Sequence, residues 1–110
     1  MIDYRIFFVK GDTYNLQVKL KTSITEIKGV YFTAINSSKV PKIQKKLNDG
    51  ISYDEENKAI LITLKPSDTI NLEEDEVYLY DLKIDYGEND SKTLLRGNLI
   101  AGWGASESEV

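Results

Sequence analysis

Cysteine and histidine are both missing from this sequence of 110 residues. Without Cys there is no disulfide and no thiolate metal site, and nothing calls for an oxidising compartment. Without His the commonest general base and the side chain that normally titrates nearest neutrality are gone. Ser-His-Asp and Cys-His constellations are thereby excluded, and only carboxylate chemistry stays open in principle. Proline occurs twice and tryptophan once. Long apolar runs are missing too: Ile6-Phe7-Phe8-Val9 is far too short for a signal-peptide core or a membrane span. A soluble chain made in a cytoplasm is expected. The glycines do not cluster into a phosphate-cradling loop, and Gly102-Trp103-Gly104 reads as a flexible end rather than a nucleotide motif. No nucleotide or other cofactor is expected.

Hydrophobic residues make up 41% of the chain and charged residues 29%, enough for one ordinary core in one domain. Net charge is −4, and it is unevenly spread: residues 1–50 hold nine Lys/Arg against four Asp/Glu, residues 51–110 five against fourteen. An acidic chain is poorly suited to duplex nucleic acid, which needs Lys and Arg to neutralise phosphates. The asymmetry is better read as a source of complementary patches.

Period-two alternation dominates the chain. Tyr78, Tyr80, Leu82 and Ile84 fall on one face of a run from Val77 to Tyr86, with Leu79, Asp81 and Lys83 on the other. Tyr14, Leu16, Val18 and Leu20 alternate with Asn15, Gln17 and Lys19. Further strands are expected over Tyr4–Val9, Val30–Ile35, Ile51–Tyr53, Ala59–Leu64 and from Thr93 to Trp103. Gly11-Asp12-Thr13, Asp54-Glu55-Glu56-Asn57 and Gly87 to Ser91 carry turn chemistry. Lys39 to Asp49 is ambiguous. Ile43 and Leu47, four apart behind Pro41, fit a short helix; the same Lys and Pro fit an edge strand, which the reading favours. Seven or eight short strands separated by turns argue for an all-β sandwich or barrel. Tyr80, Leu82, Leu16, Val18, Ile62 and Leu99 are the expected core. Residues 1–104 are assigned to this domain and 105–110 to an acidic tail expected to be disordered.

The order of signals resembles a known family. Gly11-Asp12-Thr13 precedes an alternating strand, and Ile27-Lys28-Gly29 leads into Val30-Tyr31-Phe32. Asp49-Gly50-Ile51 follows, then Pro66-Ser67-Asp68-Thr69 with Leu72, Tyr78-x-Tyr80-Asp81, and Lys92-Thr93-Leu94-Leu95-Arg96-Gly97. From Gly11 to about Ile100 this is similar to the small immunoglobulin-like domains of phage and prophage tail proteins, including the N-terminal domain of the phage baseplate upper protein. The family often places Gly ahead of the first corner Tyr, where Asp75-Glu76-Val77 stands here. The resemblance implies an immunoglobulin-like β-sandwich of antiparallel strands, in which a Tyr at the start of a late strand ties the preceding loop down. It also implies a non-enzymatic virion part, made in the host bacterial cytoplasm and working in the tail by protein–protein contact.

The candidate contact residues are charged runs and one aromatic. Lys39, Lys42, Lys45 and Lys46 form a basic stretch without interleaved aromatics, a weak nucleic-acid signal; a solvated edge is the favoured reading and a protein contact the alternative. Glu73, Glu74, Asp75 and Glu76 form the densest acidic run; a solvated loop or a protein contact suits it better than calcium, which needs converging oxygens. Trp103 is expected to cap one end of the sandwich or anchor a partner. Basic and acidic runs on different faces would allow a head-to-tail contact between copies. Partners are therefore other tail proteins or the chain itself, with no membrane and no nucleic acid. The rival reading is a stand-alone carbohydrate- or protein-binding module, favoured by surface clustering of Tyr31, Tyr53, Tyr86 and Trp103.

Overall fold

The computed structural model describes residues 2–102, and it is nearly all β. In chain order the strands are β1 (Ile2–Asp3), β2 (Ile6–Val9), β3 (Tyr14–Lys19), β4 (Ile27–Ile35), β5 (Pro41–Leu47), β6 (Gly50–Asp54) and β7 (Ala59–Leu64). One helical turn, α1 (Pro66–Thr69), precedes β8 (Val77–Tyr86) and β9 (Asp90–Gly102). The strands form one mixed sheet in the order β1-β9-β8-β4-β5-β6-β7-β3, with β2 also on β9, and this sheet curls into a half-barrel.

Two expectations are corrected here. Among the described residues the strands number nine rather than seven or eight, because the first is broken at Tyr4-Arg5 into β1 and β2 and each half pairs separately with β9. The pairing is mixed rather than antiparallel: β1 and β2 run parallel to β9, and β5 runs parallel to β6. The β5–β6 ladder holds only Lys46↔Gly50 and Leu47↔Ile51. Asn48 at φ 70° and Gly50 at φ 87° make the sharp jog that lets the chain continue in the same direction one strand over. This short ladder joins what would otherwise be two separate sets of strands. It also means that β5 is not an edge strand along its whole length, although Pro41 to Lys45 pair with β4 alone.

The period of the side chains explains the curl. Along β8 Tyr78, Tyr80, Leu82 and Ile84 are buried while Val77, Leu79, Asp81 and Lys83 are exposed. The same alternation buries Val30, Phe32 and Ala34 of β4, Ile60, Ile62 and Leu64 of β7, and Leu95, Leu99 and Ala101 of β9. These side chains form one cluster on the concave side. Phe8 of β2 and Tyr14 of β3 meet there with ring centroids 5.5 Å apart, and Phe32 stacks on Tyr80 at 5.4 Å. Of the expected core, Tyr80, Leu82, Leu16, Ile62 and Leu99 are buried. Val18 is only half-buried, because it lies near the end of β3, the last strand of the order, with β7 on one side alone.

The Lys39 to Asp49 stretch is a strand and not a helix. Ile43 points into the core while Lys42, Gln44 and Lys46 point out, a spacing of two. The helical turn instead sits at Pro66, whose missing N–H costs nothing in a first turn. The Asp68 carboxylate accepts the Lys65 N–H at 2.8 Å and so closes the turn from within. Asp54 closes the β6–β7 turn as its composition suggests, accepting from the Asn57 side chain at 2.7 Å. The ammonium of Lys58 then ties that turn to the β3–β4 connection through the Thr22 and Ile24 carbonyls, at 3.0 and 2.8 Å.

Candidate functional site

The convex side of β5-β4-β8-β9-β2 carries an apolar strip at one end. Register places Ile35 beside Leu79, and Val77 beside Ile100, which in turn lies beside Phe7. All belong to the outward set, opposite in parity to the buried residues of their strands. Phe7 is 55% exposed, Val77 48% and Leu79 55%. A Cβ at Gly102 would run into the Phe7 ring, so this ring lies across the β9 backbone and widens the strip. Large apolar side chains scattered singly over a surface need no explanation; neighbours in register do.

The basic stretch is divided. Lys39 sits at φ 62° in the β4–β5 turn, which Asn36 organises by accepting the Ser38 and Val40 N–H groups at 2.9 Å each. Lys42 and Lys46 point outward, whereas Lys45 turns to the other side and pairs with Asp68 at 2.5 Å, both side chains mostly covered. Burial alone would raise the Asp68 pKa; the hydrogen bonds and charge of Lys45, with the Lys65 N–H, outweigh it and hold the carboxyl below its usual range. Lys45 is therefore spoken for within the chain.

The acidic run is wrapped around Tyr78. Its hydroxyl accepts the Glu73 N–H at 2.8 Å and donates to Glu76 Oε2 at 3.1 Å, while the Asp75 N–H donates to the Ala101 carbonyl at 2.9 Å. Burial pushes the Tyr78 pKa up; the Glu73 N–H works against it, and the Glu76 carboxylate adds to it. Glu73, Glu74 and Asp75 stay exposed and Glu76 is half-buried. Since β4 ends at Ile35 beside Leu79, the Lys39 turn and the Glu73–Glu76 loop emerge at the same end of the sheet, flanking the apolar strip. Among the described residues no group of three or more acids converges as a metal site. Trp103 and the 105–110 tail lie outside the described residues.

Toward the other end of the convex face the surface is polar. Tyr31, 42% exposed, separates two open hollows of about 380 and 360 Å³. Tyr86 lines the second of these with Tyr31, while Tyr53 lines a different hollow beside Ile27 and Glu55. The tyrosines named for the rival reading are thus only partly gathered.

No protein-family model and no curated protein matches the chain. The strip of Phe7, Val77 and Leu79 escaped a reading focused on charge. Its signal was nonetheless present, since Val77 and Leu79 share parity with Asp81 and Lys83 on the polar side of the clearest strand.

Proposed function

We propose that this chain is a non-enzymatic structural component of a phage or prophage tail or baseplate, acting through protein–protein contacts with other tail proteins or with another copy. The observation that carries this is the apolar strip of Phe7, Val77, Leu79 and Ile100 on the convex face, bordered by Lys39 and Lys42 on one side and Glu74 and Asp75 on the other. An apolar centre with a charged rim is the anatomy of a specific protein interface. The resemblance of the turn and strand signals to immunoglobulin-like tail domains supplies the setting, the virion tail, after synthesis in the host bacterial cytoplasm.

The same reading gives the fold its finer description, an immunoglobulin-like β-sandwich. Three features support it. The ladders fall into β3-β7-β6 and β5-β4-β8-β9-β2, and among the described residues strand pairing joins the two sets only at the two-residue β5–β6 seam. β2 runs parallel to the last strand. The Tyr78 hydroxyl ties the loop before β8 to the strand, as a tyrosine corner does, despite Asp75-Glu76-Val77 in place of Gly.

Mass spectrometry of induced, density-purified particles from the source bacterium tests the assignment. Peptides of this chain in the tail fraction are the expected result. Particles that contain tail proteins but never this chain overturn it.

A further inference from the structure

Tyr31 sits on the convex face at the opposite end from the apolar strip, and the tip of its ring leans over Gly29. A Cβ built on Gly29 would come within 2.9 Å of Tyr31 Cε2 and Cζ. The hydroxyl end of the ring thus covers Gly29, while 42% of the residue remains open to solvent. Two hollows flank this ring. Thr33, Gln44, Lys45, Lys46 and Asp49 line the first, of about 380 Å³. Asp85, Glu88, Asn89 and Asp90 line the second, of about 360 Å³. Both are at the lower end of the usual size of small-ligand sites, roughly 300–1,000 Å³.

From this arrangement we propose that the Tyr31 face binds a neutral oligosaccharide, with one sugar ring stacked on Tyr31 and its neighbours reaching into the two hollows. A pyranose has an apolar face of C–H groups and a rim of hydroxyls. The electron-rich face of an aromatic ring suits the C–H groups. Carboxylates and amides at both sides suit the hydroxyls, since the carboxylates accept from them and the amides both accept and donate. Other ligand classes fit less well. An extended peptide adding to the sheet needs free backbone amides, but β4 at Tyr31 is already paired with Lys46 of β5 and Lys83 of β8. Recognition there has to use side chains. An acidic glycan would meet Asp85, Glu88 and Asp90 in the second hollow, a like-charge clash that Lys28 only partly offsets. The site lies away from the apolar strip, so it does not depend on the tail assignment.

The test is a titration of the isotope-labelled protein with hexa-N-acetylchitohexaose, cellohexaose and maltohexaose, followed by amide shifts, with hexagalacturonate as the anionic control. At least one neutral hexasaccharide is expected to move Gly29, Tyr31, Thr33 and Asp85, while hexagalacturonate does not. Tyr31→Ala should weaken that binding about tenfold, a loss of one aromatic contact at its upper value, and Tyr31→Phe should retain it. Glu88→Ala with Asn89→Ala, in the exposed β8–β9 turn, gives an independent loss without disturbing Gly29. No response to any of the three neutral glycans overturns the proposal. So does a response unchanged in both the Tyr31→Ala and the turn variants, or one to hexagalacturonate alone. A lower melting point of Tyr31→Ala in a protein that never answers to glycan would leave the ring as a cover for Gly29 only, and overturns it equally.

Discussion

The Tyr80 hydroxyl donates to the Tyr4 main-chain carbonyl at 2.5 Å, and Gly97 is what lets them meet. Gly97 is the β9 partner of Tyr80, and a Cβ there would collide with the Tyr4 carbonyl oxygen. The break between β1 and β2 turns this carbonyl inward. Tyr80→Phe should cost about 0.5–1.5 kcal/mol, the net worth of one hydrogen bond. Gly97→Ala should cost more, about 1–3 kcal/mol, because main chain has to move to admit the methyl. Urea unfolding of both variants checks the order; an alanine variant as stable as the parent would show that the close approach is not required.

Alkaline pH should loosen the fold. Tyr14 and Tyr80 are both pushed up to about 12, chiefly by burial and then by neighbouring tyrosines. An unfolded Tyr loses its proton near pH 10. Between about pH 10 and 12 the native state therefore holds protons that the unfolded state has released, so stability is full below this window and falls through it. Melting points at stepped alkaline pH should decline in wild type and decline less in Tyr80→Phe.

The Lys45–Asp68 pair predicts the opposite limb. The folded carboxyl is held below its ordinary value, so its contribution is present above about pH 4 and disappears as the pH falls through the lower folded pKa. Lys45→Met should destabilise by about 1 kcal/mol near neutrality, as a pair that is mostly covered but still at the surface. The difference from wild type should vanish in strong acid. A charge reversal at Lys45 is accordingly a poor probe of association, because it breaks this internal pair; Lys39, Lys42 and Lys46 are the free choices.

Leu82 and Leu79 stand on opposite faces of one strand and should behave oppositely. Leu82 is fully buried, and Leu82→Ala should cost about 2–5 kcal/mol. Leu79 is 55% exposed, so Leu79→Lys should change stability by no more than about 0.5 kcal/mol. If the apolar strip is an interface, the same Leu79→Lys abolishes whatever association the protein shows in light scattering. A large loss at Leu79 with none at Leu82 would mean that the faces of β8 are reversed, and equal losses that both faces are covered.

Much of the fold was legible because its code is local. Alternation in β3 and β8 named the inward faces residue by residue, and Asp54 to Asn57 announced its own turn. What was hidden is non-local. Nothing in Ile2-Asp3 or Ile6 to Val9 states that they lie parallel to β9, since a parallel pair leaves no turn signature. Lys45 read as one more surface lysine, because its partner Asp68 is 23 positions away on a helical turn of four residues. The sequence left open how the opposed charged runs lie relative to one another; the antiparallel pairing of β4 with β8 brings the Lys39 turn and the Glu73–Glu76 loop to one end of the sheet. The apolar strip was hidden for a plainer reason: Val77 and Leu79 interrupt a face otherwise marked as polar.

The parallel ladders between the first strands and the last have a consequence for synthesis. While a ribosome is still adding residues beyond β8, β1 and β2 have no partner, and the outer edge of β8 stands open. β3 can close on β7 earlier, but the N-terminal segment must wait for nearly the whole described chain to emerge. Folding of this domain should therefore be completed late and at once rather than stepwise from its beginning, with the hydrophobic Ile6-Phe7-Phe8-Val9 run the segment most exposed to a chaperone in the interval.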